Sequence, residues 1–152
     1  MNESKNWKKL PIFLGVSFLA MGFGGLFRPG DWYTSLNLAP WTPPNIAFPI
    51  VWGFLYLLIA LAGWKIFSHN NSRLKQLWIA QLLINAAWSW LFFAQHWVGV
   101  ALIDILILDF LVGLLVASCF KARLISAAWM LLPYLAWILL ASTLNIYVLL
   151  MN

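Results

Sequence analysis

The sequence predicts an all-α membrane protein, a bundle of five transmembrane helices. Three observations carry this. Hydrophobic residues make up 64% of the 152 residues and charged residues only 9%, where a soluble domain carries about 25% charged residues. The apolar excess lies in five long runs, at 10–27, 45–67, 74–93, 98–120 and 124–150. Each is near the roughly 20 residues a helix needs to cross about 30 Å of hydrocarbon. The basic residues fall between these runs with a strong bias to one side. A membrane β-barrel would instead show alternating segments of about ten residues.

The first run, 10–27, follows Lys5, Lys8 and Lys9. A basic start, an apolar run and small residues at Gly22-Phe23-Gly24 loosely resemble a cleaved leader. The run is long for that, and its removal would spoil the charge alternation, so it is expected to stay. The connection 28–44 holds Trp32, Tyr33 and Trp41 with Pro29, Pro40, Pro43 and Pro44. Proline fixes φ and lacks the N–H, so this loop is stiff. It reads equally as a lid or as an interface anchor for the first two helices.

The second run ends near Lys65, and Arg73 and Lys75 flank the next gap. The third run carries a polar stripe. Gln81, Asn85 and Ser89 are four apart and share a face with Trp88 and Phe92, and Gln95 follows. Polar side chains inside a membrane usually face the bundle interior. The stripe suits either a ligand or hydrogen bonding between helices.

The fourth run holds Asp104 and Asp109, the only acids inside a span. Five residues apart is about 140° around a helix, so they do not share a face. Such acids suit a proton-coupled transporter, or Asp104, nearer the outer end, bonds to a neighbouring helix or loop. Asp109 lies about 16 Å from that end and needs a partner or a proton there. The fifth run places Trp137, Ala141 and Asn145 four apart, and Pro133 permits a bend.

Lys and Arg divide eight to one between alternate sides, with Arg28 alone on the lesser side. The positive-inside rule then puts the N-terminus in the cytoplasm and the C-terminus outside. No soluble segment or repeat interrupts the chain, so 1–152 is expected to be one transmembrane domain. The net charge of +5 is spread over short gaps, which argues against nucleic acid as a partner. Cys119 is the single cysteine, and no metal-ligand spacing, Ser-His-Asp set or glycine-rich phosphate loop is present. His69 and His96 read as interface residues. Eleven tryptophans exceed what interface belts explain, because several lie in mid-span.

Several segments together resemble the TspO/MBR family, the tryptophan-rich sensory and translocator proteins also called peripheral benzodiazepine receptors. Trp32-Tyr33 through Pro40-Trp41-Thr42-Pro43-Pro44, then Phe48 and Val51-Trp52, resembles the family signature. Asn85, Trp88-Ser89 and Leu91-Phe92-Phe93 within 83–93 resemble its third helix. Asp104 resembles its fourth-helix aspartate, and Pro133-Tyr134, Trp137, Ala141 and Asn145 its fifth helix. The match spans essentially the whole chain.

The resemblance implies five helices around a ligand pocket closed by the loop between helices 1 and 2. The implied ligand-binding residues are Tyr33, Trp41, Pro43, Phe48, Trp52, Asn85, Trp88, Phe92, Gln95, Trp137, Ala141 and Asn145. It further implies porphyrins (protoporphyrin IX and haem-related tetrapyrroles), sterols and synthetic isoquinolines as ligands, no required cofactor, and a homodimer in the lipid bilayer. The sterol expectation is weakened here. Leu144, Asn145 and Tyr147 are followed by no Lys or Arg, which the animal motif carries. The short N-terminus lacks an Arg- and Ser-rich transit sequence, which fits the inner membrane of a prokaryote.

Three functions follow. The leading one is a membrane receptor or sensor for porphyrins. A second is a small transporter of tetrapyrroles or sterols using Asp104 or Asp109. A third is an enzyme that degrades bound porphyrin with light and oxygen, with Trp52 and Trp137 as candidate catalytic groups.

Overall fold

The structure, a computed structural model, describes residues 7–152. It is all-helical, with no strand among those residues. The elements are α1 (Leu10–Gly25), α2 (Asp31–Thr34), α3 (Ala47–Phe67), α4 (Ser72–Ser89), α5 (Val98–Lys121) and α6 (Ile125–Met151). A π-helical turn, Trp90–Ala94, continues α4. Lys5, one of the basic residues expected ahead of the first span, lies outside the described residues.

The four later apolar runs become helices long and apolar enough to cross a membrane: α3, α4 with its π turn, α5 and α6. The first run is shorter than expected. α1 has 16 residues, about 24 Å, against about 30 Å of hydrocarbon. It stops two residues early because the N–H groups of Leu26 and Phe27 turn back onto Phe23 and Gly24 carbonyls, and Pro29 cannot continue a helix. α4 begins two residues early because the Asn71 side chain caps it, accepting from Leu74 N–H at 3.2 Å. α2 was not foreseen: the stiff 28–44 connection contains this short helix.

The five longer helices close into a ring in the order α1, α3, α6, α5, α4. α3 and α4 are chain neighbours but meet only weakly across it. Close approach, rather than hydrophobic burial, holds helices together in lipid, and Gly63 shows the device. A Cβ there would overlap the Trp78 indole of α4, whose Nε1 donates to the Ile59 carbonyl of α3 at 3.0 Å.

The inward stripe of each helix is sealed through the half of the ring farther from α2. Leu55, Tyr56 and Ile59 of α3, Leu108, Val112 and Leu115 of α5, and Leu131, Tyr134 and Ile138 of α6 form this core. Cys119 is buried in it.

Candidate functional site

The residues expected to bind ligand gather toward the α2 end of the ring, in two aromatic groups. The first lies between α3 and α6. Phe48 meets Trp137 edge-on at 5.7 Å, and Trp52 lies 5.7 Å from Tyr56 and 6.3 Å from Tyr134. The α3 stripe that places Phe48 and Trp52 is the one that carries Leu55, Tyr56 and Ile59 into the core. The spacing of four puts them on one face.

The second group joins α2 to the end of α4. Trp88 stacks on Phe92 at 4.9 Å. Tyr33 meets Phe92 and Phe93 edge-on, at 6.3 and 5.5 Å. The wider π turn carries one extra residue and re-aims side chains, so Phe92 and Phe93 both reach the α2 side. Half-burial holds the Tyr33 hydroxyl above its ordinary pKa, which keeps it a neutral donor.

Along α3 the sealed core gives way to half-exposed side chains at this end, beside a second, smaller core of Leu91, Phe92, Ala101 and Val148 that is buried there. Phe48, Trp52, Trp88, Trp137 and Ala141 are all half-buried, and so are Pro43 of the loop and Gln95 after the π turn. Beneath Trp52, the Asn85 side chain lies beside the Tyr134 hydroxyl. Beyond each other, Asn85 Nδ2 and Tyr134 Oη meet no hydrogen-bond partner among the described residues.

Two expected ligand residues are otherwise engaged. Asn145 accepts from Trp88 Nε1 at 3.1 Å and donates to the Val98 carbonyl at 3.0 Å. It thereby ties α6 to α4 and to the start of α5. Trp41 sits apart from both groups. It is 52% exposed, donates to Thr143 Oγ1 at 3.1 Å and meets Tyr147 edge-on. Thr143 lies about 200° around α6 from Ala141, so Trp41 packs on the other flank of that helix.

The two acids fare differently. Asp109 Oδ2 accepts from the Ser142 hydroxyl at 2.6 Å, a partner sequence reasoning did not name. The signal was available as depth. Asp109 is about 16 Å from the start of α5, and Ser142 about 14 Å from the end of the antiparallel α6 beside it. Asp104 Oδ2 is buried with no hydrogen-bond partner among the described residues, so no bond of that oxygen to a neighbouring helix or loop is seen. A carboxyl on the seam between helices finds a partner only where a donor stands at its depth. Ser89 of the polar stripe faces Gly24 of α1 rather than the aromatic groups. His69 is exposed beside α3, while His96 stacks on Trp32. No group of three His, Cys, Asp or Glu gathers among the described residues.

The sequence matches the profile of the TspO/MBR family over residues 12–151. The chain is 37% identical over 144 residues to the tryptophan-rich protein TspO of Archaeoglobus fulgidus, covering 90% of this chain and 93% of the relative. It is 30% identical to the tryptophan-rich sensory protein of Cereibacter sphaeroides, over 92% of this chain and 89% of that one. It is 34% identical to the translocator protein of Ovis aries, over 88% of this chain and 78% of that one.

Proposed function

The chain belongs to the TspO/MBR family of integral membrane proteins, and from that footing we propose that it is a membrane receptor for porphyrins and similar planar apolar ligands. In this reading 1–152 is one domain of five spans, with α1 crossing as the fifth by thinning the bilayer or by snorkelling of its flanking residues. The ligand lies between the two aromatic groups, under the 28–44 loop.

The observation that carries the reading is the change along the inward stripes. Side chains sealed at Leu55, Tyr56, Ile59 and Ile138 give way to half-exposed rings at Phe48, Trp52, Trp88 and Trp137. A planar macrocycle stacks on such faces. Asn85 Nδ2, with no hydrogen-bond partner among the described residues beyond the adjacent Tyr134 hydroxyl, offers a donor to its polar edge. Ligand binding needs no separate cofactor. The homodimer rests on family resemblance alone, and so does a sterol as alternative ligand.

Titration of the purified protein with protoporphyrin IX in the dark tests the reading. Saturable quenching of tryptophan fluorescence is expected. Trp52→Ala and Trp137→Ala should each weaken binding about tenfold, the size of a lost aromatic contact. Unchanged affinity in both variants would place the ligand elsewhere.

One contact set favours a second reading, light- and oxygen-dependent degradation of the porphyrin. Trp52 touches both Tyr56 and Tyr134, so two further oxidisable rings stand behind the one that faces the proposed ligand, with Trp137 on the facing helix. The same titration under light and air decides it. A single product that is lost in Trp137→Phe, with binding retained, supports turnover, and a mixture matching free porphyrin in detergent removes it. A transport reading would need proton flux dependent on Asp104 or Asp109. Asp109 is held by Ser142 on α6, on the α5 side of that helix rather than beside Trp137.

A further inference from the structure

The 28–44 connection is fastened in two different ways. From Asn37 onward hydrogen bonds fix it to α6. Asn37 N–H donates to Asn152 Oδ1 at 2.8 Å, and Asn152 Nδ2 donates back to the Asn37 carbonyl at 3.3 Å. Trp41 Nε1 adds its bond to Thr143. Before Asn37 the side-chain hydrogen bonds stay local. Thr34 Oγ1 donates to the Asp31 carbonyl, Ser35 Oγ to the Trp32 carbonyl, and Arg28 Nε to the Gly25 carbonyl.

What joins α2 to the bundle is ring contact. Tyr33 meets Phe92 and Phe93, and Trp32 meets Phe92 edge-on at 5.6 Å. Trp32 also stacks nearly parallel on His96, with centroids 4.0 Å apart and planes 14° apart. His96 is presented by a fixed backbone. It is one of two non-glycine residues at positive φ among the described residues, at 57°, a region such residues seldom occupy. The Val98 N–H closes onto its carbonyl at 3.0 Å, and the Trp97 N–H onto the Leu91 carbonyl at 3.0 Å.

We propose that α2 is the moving leaf of the pocket's cover, hinged at Leu36–Asn37, and that His96 is its latch, tightened when the imidazole is protonated. The proposal rests on the pocket reading above for its consequence, ligand retention, but not for the motion itself. Histidine is the side chain that changes charge between about pH 5 and pH 8. An imidazolium over an indole face gains cation–π attraction that the neutral ring lacks. The closed position is therefore favoured in acid, and the extra hold is absent where the imidazole is neutral. The other charged or titratable groups on the packed elements are few. Asp31 and Tyr33 lie on α2, and Arg28 just ahead of it. Residues 86–95 carry none, and α5 contributes Asp104 only in its second turn. Asp31 acts in the same sense as the ring, and Arg28 against it.

A nitroxide label at Ser35→Cys, with Cys119→Ala to leave one thiol, reads the motion without ligand in lipid nanodiscs. The closed population should rise about two- to five-fold from pH 8 to pH 5, the range for an exposed cation–π contact. His96→Phe keeps a stacked ring without a titrating charge and should abolish the pH response. His96→Asn, a residue that tolerates the left-handed backbone, should loosen α2 at both pH values. Protoporphyrin release should slow in acid by the same factor in the parent and not in His96→Phe. A label insensitive to pH in the parent, or a response that persists in His96→Phe, overturns the latch. A label that responds while porphyrin fails to bind supports the latch and removes the pocket reading.

Discussion

A single amide inside a bundle can serve a ligand or a neighbouring helix, and its residue type does not say which. Asn85 and Asn145 were both legible as inward-facing from helical spacing. Only the structure separates them: Asn85 Nδ2 has no hydrogen-bond partner among the described residues beyond the adjacent Tyr134 hydroxyl, while Asn145 bridges Trp88 to the Val98 carbonyl. The pairs lie 57 and 47 residues apart in sequence, so no local pattern could reveal them. Asn145→Ala would strand an indole N–H and a carbonyl at once. Interhelical bonds in membranes average about 0.6 kcal/mol and reach about 1.7, so a loss of about 1–3 kcal/mol is expected. Unfolding in mixed micelles measures it. An unchanged midpoint would show that the bridge contributes nothing to the fold and would return Asn145 to the ligand.

Helices were legible where a long apolar run leaves the backbone no alternative, since every N–H and C=O in lipid must be satisfied within the segment. The limits of α3, α5 and α6 fall within two residues of the expected ones for that reason. What escaped was set by local closure or distant contact. The π turn at Trp90–Ala94 has no composition signal, yet it turns Phe92 and Phe93 toward α2. The loop's aromatic and proline content announced stiffness but not its division into a hydrogen-bonded half and a half held by rings. Trp41 shows the consequence. Grouped with the pocket by its motif, it anchors the fixed half to the far flank of α6. The two aromatic groups were therefore legible as inward stripes, and the 28–44 connection was legible only as a length of chain.

At the scale of the whole molecule, the ring sorts charge by end. α3 finishes and α4 starts at one end, with Lys65, Arg73 and Lys75. α5 finishes and α6 starts there too, with Lys121 and Arg123, and Lys8 and Lys9 precede α1. The opposite end has Arg28 alone among the described Lys and Arg residues. Lys65 lies over the Trp64 ring at 5.4 Å, and Lys75 over the Phe67 ring at 5.8 Å. Such pairs suit a headgroup layer, where the stem packs on rings and the ammonium stays wet. The two aromatic groups and α2 lie at the poorly charged end. If basic ends remain cytoplasmic, the proposed pocket opens to the outside, and ligands arrive from there or from the outer leaflet. A phosphatase that folds only outside the cytoplasm, fused after Asn152, should be active, and a fluorescent protein that matures only in the cytoplasm should be dark at the same position. The opposite pair of results would invert the protein. The alternative explanation of that result is that α1, at 16 residues, does not cross, because one span fewer puts the C-terminus on the side of the N-terminus.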